Sequence, residues 1–138
     1  MKEHALRLTR GMDLKLGIEA YVEQHAIQAG ALVSCAGCVS EVCLRTADGV
    51  SEYKEQKNYE IVSLQGTVSV NGCHLHAALS DQSLRTIGGH LKPGCIVNTT
   101  AEIIILELDS FVFIREMDQE TGYPELQIYP AAANVSDK

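Results

Sequence analysis

The chain has 138 residues, 46% of them hydrophobic, with a formal net charge of −7 and a sequence pI near 5.1. That length makes a single domain able to bury roughly two thirds of its unfolded surface without disulfides or a structural metal. The charge repels phosphate polymers unless the 11 Lys and Arg gather on one face, and the sequence shows no such gathering. No apolar run approaches the ~20 residues of a membrane-spanning helix. The 5 cysteines, an odd count with no secretory leader before them, read as reduced thiols of a cytoplasmic protein.

In chain order, His4 to Arg10 alternates as an opening strand, Gly11 breaks it, and Asp13 stands where it can cap a helix by accepting from a backbone N–H. Leu14, Ile18, Tyr21, Val22, Ala26 and Ala29 then recur at helical spacing, which predicts a helix with its stop at Gly30. Gly17 inside it costs about 1 kcal/mol relative to Ala, which packing must offset. Beyond the helix the pattern turns to strands: Ala31 to Cys38, Val39 to Thr46, a turn at Asp48-Gly49, Ser51 to Lys57, Tyr59 to Val70 and Cys73 to Ser80. Ile96 to Leu108 is apolar on both faces in its middle and reads as a central strand, followed by Phe111 to Arg115 and Leu126 to Tyr129. One main helix near the N-terminus against a mostly antiparallel sheet predicts an α+β domain over residues 1–130, with 131–138 a small, polar, flexible tail.

The chemistry concentrates around one hairpin. Asn71-Gly72 predicts a type I′ turn in which Val70 pairs with Cys73, Ser69 with His74, and Thr67 with His76. Alternation then puts Leu64, Val68, Val70, Cys73, Leu75, Ala77 and Leu79 on an apolar face, and Gln65, Thr67, Ser69, His74 and His76 on the other. The two imidazoles point the same way with Cα atoms roughly 6.5 to 7 Å apart, close enough to converge on one metal ion. His90 is the third candidate, returned by a loop from Asp81 to Gly89 whose Gly88-Gly89 pair permits a bend or a close backbone approach. Three histidines with an open position form the catalytic type of zinc site; solvated surface histidines are the alternative.

Other candidates are weaker. Cys35-Ala36-Gly37-Cys38 lies inside a predicted strand, not at a helix N-terminus that would lower a thiol pKa, so these cysteines read as structural. Glu102 opens the most hydrophobic strand, where an acid is costly unless it is paired or functional, and is a candidate catalytic base beside the histidines. Asp81 and Arg85 fall in the loop between His76 and His90. No Walker loop, dinucleotide fingerprint or nucleophile-elbow serine is present.

Taken together, Leu6-Arg7-Leu8 with Gly11-Met12-Asp13-Leu14, Glu60 to Thr67, His74-Leu75-His76, Gly88-Gly89-His90 and Gly94 to Glu102 resemble the plants-and-prokaryotes-conserved (PPC) domain over residues 4–116. The resemblance implies an α+β fold, a homotrimer, and a metal carried at the three histidines. The fold is also similar to that of acetolactate decarboxylase, a zinc enzyme whose metal sits on a His-x-His pair and a third histidine. In plants the domain follows AT-hook motifs, Arg-Gly-Arg-Pro, in nuclear DNA-binding regulators; this sequence has no such motif, and Asn58-Tyr59 stands where the plant proteins have Arg-Phe before the Glu60 to Leu64 stretch. The expectation is therefore a cytoplasmic homotrimer with a divalent metal, zinc by preference, on His74, His76 and His90. A small carbonyl compound would be its ligand, in a lyase or hydrolase reaction assisted by Glu102; a DNA-binding regulatory module is the alternative.

Overall fold

Asp13 caps the helix as its position predicts: Oδ1 accepts from Leu16 N–H at 2.9 Å, and Oδ2 also accepts from Gly94 N–H at 2.7 Å. In the computed structural model, which describes residues 1–132, strand β1 (Lys2–Thr9) precedes helix α1 (Leu14–Gln24). Six of the remaining elements follow as β2 (Gly30–Arg45), β3 (Glu52–Val68), β4 (His74–Ser80), β5 (Thr86–Leu91), β6 (Ile96–Glu107) and β7 (Phe111–Met117), and β8 (Pro124–Pro130) closes the order. The tail expected at 131–138 lies outside the described residues, apart from its first two.

The helix ends earlier than the spacing predicts. Ile27 N–H donates to Val22 O and Ala26 N–H to Glu23 O, with Ala26 at a φ of 51°, so a Schellman turn closes α1 at His25. Ile27 and Ala29 are buried beyond that turn, and Gly30 begins β2 instead of stopping the helix. Leu14, Ile18 and Val22 are the buried face of α1, and each such side chain contributes about 1.5 to 3 kcal/mol. Gly17 has a packing reason: a Cβ there would stand 2.8 Å from the Leu8 side chain of β1.

The strands are longer than the turn signals suggest. The breaks expected after Cys38 and near Asn58 are register irregularities inside the continuous strands β2 and β3, where Val39 pairs with Tyr59 but Glu41 with Gln56. The main sheet runs β1-β6-β2-β3-β4-β5, and β2 also pairs with β5, which closes β2, β3, β4 and β5 into a ring. All of these pairings are antiparallel, so the fold is α+β with a mostly antiparallel sheet. The apolar core of Ile18, Val22, Val68, Leu75, Leu91 and Ile105, among others, lies between the sheet and α1. The β7–β8 hairpin forms a separate antiparallel pair, pinned by Phe113, whose N–H donates to Gln28 O. Among the described residues no helix is long and apolar enough to cross a membrane.

Candidate metal centre

Two local facts aim the histidines. In β4, Leu75, Ala77 and Leu79 are buried while His74 and His76 are exposed, the period-two alternation the sequence predicts. Their partners on β3 differ from expectation: Thr67 pairs with His74 and Gln65 with His76, a shift of two positions from the predicted register. Within the paired stretch a shift of two leaves His74 and His76 on their expected face, which is why the site survives. Asn71-Gly72 does not form a type I′ turn, since only Gly72 of the two has a positive φ, 132°.

The loop is instead held from outside the hairpin. Val70 N–H donates to Ile27 O, and Ser69 Oγ and Asn71 Nδ2 both donate to Phe113 O. Ser69 is consequently buried and Val70 exposed, the reverse of the predicted faces. Gly66 lets the two strands approach: a Cβ there would stand 1.9 Å from His74 O, and its φ is 146°.

His90 arrives on a strand, not a loop. β5 pairs with β4 so that His90 is opposite His76, and with β2 so that His90 is opposite Arg45. Gly88-Gly89 gives the close approach the sequence suggested, because a Cβ on Gly88 would meet Ala77 O at 2.8 Å and one on Gly89 would meet Arg45 O at 2.7 Å.

The three imidazoles face one another. Ring centroids are 4.9 Å apart for His74 and His76, 5.1 Å for His74 and His90, and 5.5 Å for His76 and His90. One ring nitrogen from each lies within 4.8 Å of the others, and the Nε2 atoms of His74 and His76 are 3.0 Å apart. A tetrahedral zinc with bonds of ~2.0 to 2.1 Å needs ligand nitrogens about 3.3 Å apart, a value inside that range. His90 Nδ1 is buried without a hydrogen-bond partner among the described residues.

Burial, then His76 and the guanidinium groups of Arg115 and Arg45, lower the His74 pKa. Burial, then Arg45, His74 and Lys15, push His90 down to about 4. At neutral pH these two rings are held in the uncharged form that binds metal. The donor set therefore fits a divalent ion. Space adjoins it on two sides: a cavity of about 250 Å³ lined by Gln65, Gly66, Thr67, His74 and His76, and one of about 400 Å³ that includes His74, His90, Arg45 and Arg115.

The structure does not bring the other candidates to this centre within one protomer. Glu102 is exposed on β6 between Arg7 of β1 and Ala36 of β2. Ala36 is nine positions along β2 from Arg45, which faces His90, or about 30 Å of strand. Glu102 lies instead near Cys35, whose thiol is pushed up to about 11 by burial first and this carboxylate second. Asp81 Oδ1 accepts from the N–H groups of Ser83 and Arg85, and its Oδ2 pairs with Lys57 Nζ at 2.8 Å, so it shapes the β4–β5 turn. The sequence reading missed Arg45, Arg115, Tyr123 and Glu125, which line the larger cavity. They come from the end of β2 and the β7–β8 hairpin, and no spacing signal links them to the histidines.

The family model of the Plants and Prokaryotes Conserved (PCC) domain matches residues 1–109. This chain belongs to that family. Over 132 residues, 96% of its length, it is 41% identical to the bifunctional protein GlmU of Synechococcus sp. (strain JA-3-3Ab), and it spans only 21% of that relative. A hypothetical protein from Salmonella cholerae-suis has the same fold with a TM-score of 0.90 at 36% identity, over 94% of each chain. A metal-containing protein from Archaeoglobus fulgidus matches with a TM-score of 0.79 at 27% identity, over 92% of this chain and 94% of that one. The PCC match stops short of β7 and β8, so the hairpin carrying Arg115, Tyr123 and Glu125 lies beyond it.

Proposed function

We propose that this PCC domain holds one divalent ion on His74, His76 and His90, with zinc the ion that three imidazoles and an open fourth position suit best. The observation that carries this reading is the convergence of three ring nitrogens within 4.8 Å. The metal-containing relative from Archaeoglobus fulgidus supports it. When bound, such an ion supplies Lewis-acid polarisation of a carbonyl oxygen or an acidified water. The chain's own part is to present neutral imidazoles and to leave an open side against a cavity where a small carbonyl compound fits. A lyase or hydrolase reaction on such a compound is the activity this arrangement serves, and Glu102 has no assigned part within a single protomer.

The same reading makes the protein a cytoplasmic homotrimer. Irregularities in β2 and β3 turn Val33 and Val62 outward, 59% and 60% exposed, and Ile104 of β6 is exposed as well. These apolar side chains suit a subunit interface.

Metal analysis by mass spectrometry on tag-free protein tests the proposal, beside the double variant His74→Ala/His76→Ala. One ion per protomer, absent from the variant, is the expected result; equal metal in both would overturn the ligand assignment. The competing reading, a DNA-associated regulatory module, requires tight and steeply salt-dependent binding to duplex DNA. The net charge of −7 works against it, and gel shifts showing no complex at about 50 mM salt would remove it.

A further inference from the structure

The β7–β8 hairpin crosses beside the histidines and walls a second feature there. It is anchored at one end where Phe113 O accepts from Ser69 Oγ and Asn71 Nδ2. At its tip, Tyr123 Oη would lie 3.1 Å from a Cβ placed on Gly49, in the β2–β3 turn. Between these points is the cavity of about 400 Å³, lined by Arg45, Arg115, Tyr123, Glu125, His74 and His90 among others. That volume is at the small end of the ~300 to 1,000 Å³ typical of ligand sites.

Two guanidinium groups face this space with little to satisfy them. Arg45 Nε is buried with no hydrogen-bond partner among the described residues. Arg115 gives one N–H, from Nη2, to Thr67 Oγ1 at 3.1 Å, which fixes its stem across β3. Neither arginine forms an ion pair among the described residues. A buried donor left unmade costs about 1 to 3 kcal/mol, more when it is charged, so a partner is missing. Among the described residues the only carboxylate lining the cavity, Glu125, accepts from Thr121 Oγ1 at 3.0 Å. Apart from the histidine site, two arginines and one glutamate give the cavity wall a charge of +1, which matches one carboxylate better than a phosphate dianion.

We propose that the cavity under the β7–β8 hairpin is a subsite for a small organic monocarboxylate, held by Arg45 and Arg115 so that the rest of the molecule reaches the three histidines. The subsite deepens the metal reading and rests on it only for what lies at the ligand's far end. Guanidinium forks bind planar carboxylates through paired charge-assisted hydrogen bonds, which gives orientation as well as affinity.

The test is an amide chemical-shift titration with glycolate, and with inorganic phosphate for comparison, on metal-free and zinc-loaded protein. Zinc content is read on the same samples by mass spectrometry. Arg115→Gln should weaken glycolate about tenfold in both states, the equivalent of one charge-assisted contact, and should leave zinc content unchanged. Glu125→Gln should tighten it several-fold, and this second variant keeps the test open if an arginine variant folds poorly. Glycolate affinity unchanged in Arg115→Gln, phosphate bound more tightly than glycolate by the metal-free protein, or no glycolate response in either state would each overturn the subsite. Arginine-dependent glycolate binding by protein that takes up no zinc would uphold the subsite while retiring the metal reading.

Discussion

The molecule holds two clusters of histidines, and they are built in opposite ways. His4, 5% exposed, has both ring nitrogens answered: Nδ1 meets Tyr21 Oη at 3.1 Å and Nε2 meets Glu107 Oε2 at 2.6 Å. Tyr21 stacks on His25 with ring centroids 3.9 Å apart, and His25 Nδ1 lies 2.9 Å from Tyr21 O. That network ties β1, α1 and β6 together and leaves neither nitrogen of His4 for a ligand. His74, His76 and His90 face one another instead, with no carboxylate hydrogen-bonded to any ring among the described residues. A neutral imidazole has one donor and one acceptor, so a ring pair can share one hydrogen bond while the third ring goes unanswered. Histidines closed by their own partners hold a fold, and histidines that converge without partners are arranged for something from outside.

This contrast can be sharpened or broken by measurement. The largest effect should come from the ion itself: zinc at a thousandfold excess over Kd should stabilise the wild-type protein by about 4 kcal/mol, read as a rise in Tm, and His90→Ala should show none of it. In chelated protein the same variant should stay within about 0.5 kcal/mol of wild type, because the ring contacts it loses are offset by removal of the unpartnered buried Nδ1. Gly66→Ala comes next, at about 3 kcal/mol in a urea midpoint, since its Cβ would collide with His74 O and its φ of 146° is strained for alanine. A loss under about 1 kcal/mol would mean β3 and β4 are not so closely apposed at the site.

His4→Ala should cost about 2 kcal/mol by stranding Glu107 and Tyr21, with zinc content untouched. Loss of zinc in that variant would erase the distinction between the clusters. The smallest effect belongs to neither cluster. Hydroxyl and backbone donors from Thr46, Val50 and Ser51 hold the Asp48 carboxyl well below its ordinary value of 3.8, and Lys57 first among its partners lowers Asp81. A depressed carboxylate pKa stabilises the fold above the unfolded value and loses that stabilisation as pH falls below it. Denaturation midpoints should therefore drop below about pH 4, and Asp48→Asn should flatten that acid limb slightly.

Much of the site was legible in the sequence because its determinants are local. Capping by Asp13 needs only a backbone N–H three residues on, and the alternation that turns His74 and His76 outward needs only the pleat. The apolar run of β6, the α+β class and the family resemblance follow from patterns of the same kind. Features that depend on distant partners were not legible. The helix end was set by burial of Ile27 and Ala29, and the hairpin register by bonds from Ile27 and Phe113 to residues 69–71.

By itself the sequence determined which side chains could bind a metal, since identity and strand parity are fixed residue by residue. Only the tertiary structure decided which of them meet. Pairing of β5 with β4 set His90 opposite His76, its closure on β2 set it opposite Arg45, the β2–β6 register placed Glu102 far along the sheet, and the C-terminal hairpin brought Arg115 to the same cavity. Those juxtapositions come from pairing between segments remote in the chain, where free energy depends on the whole packed sheet and no short window carries the information.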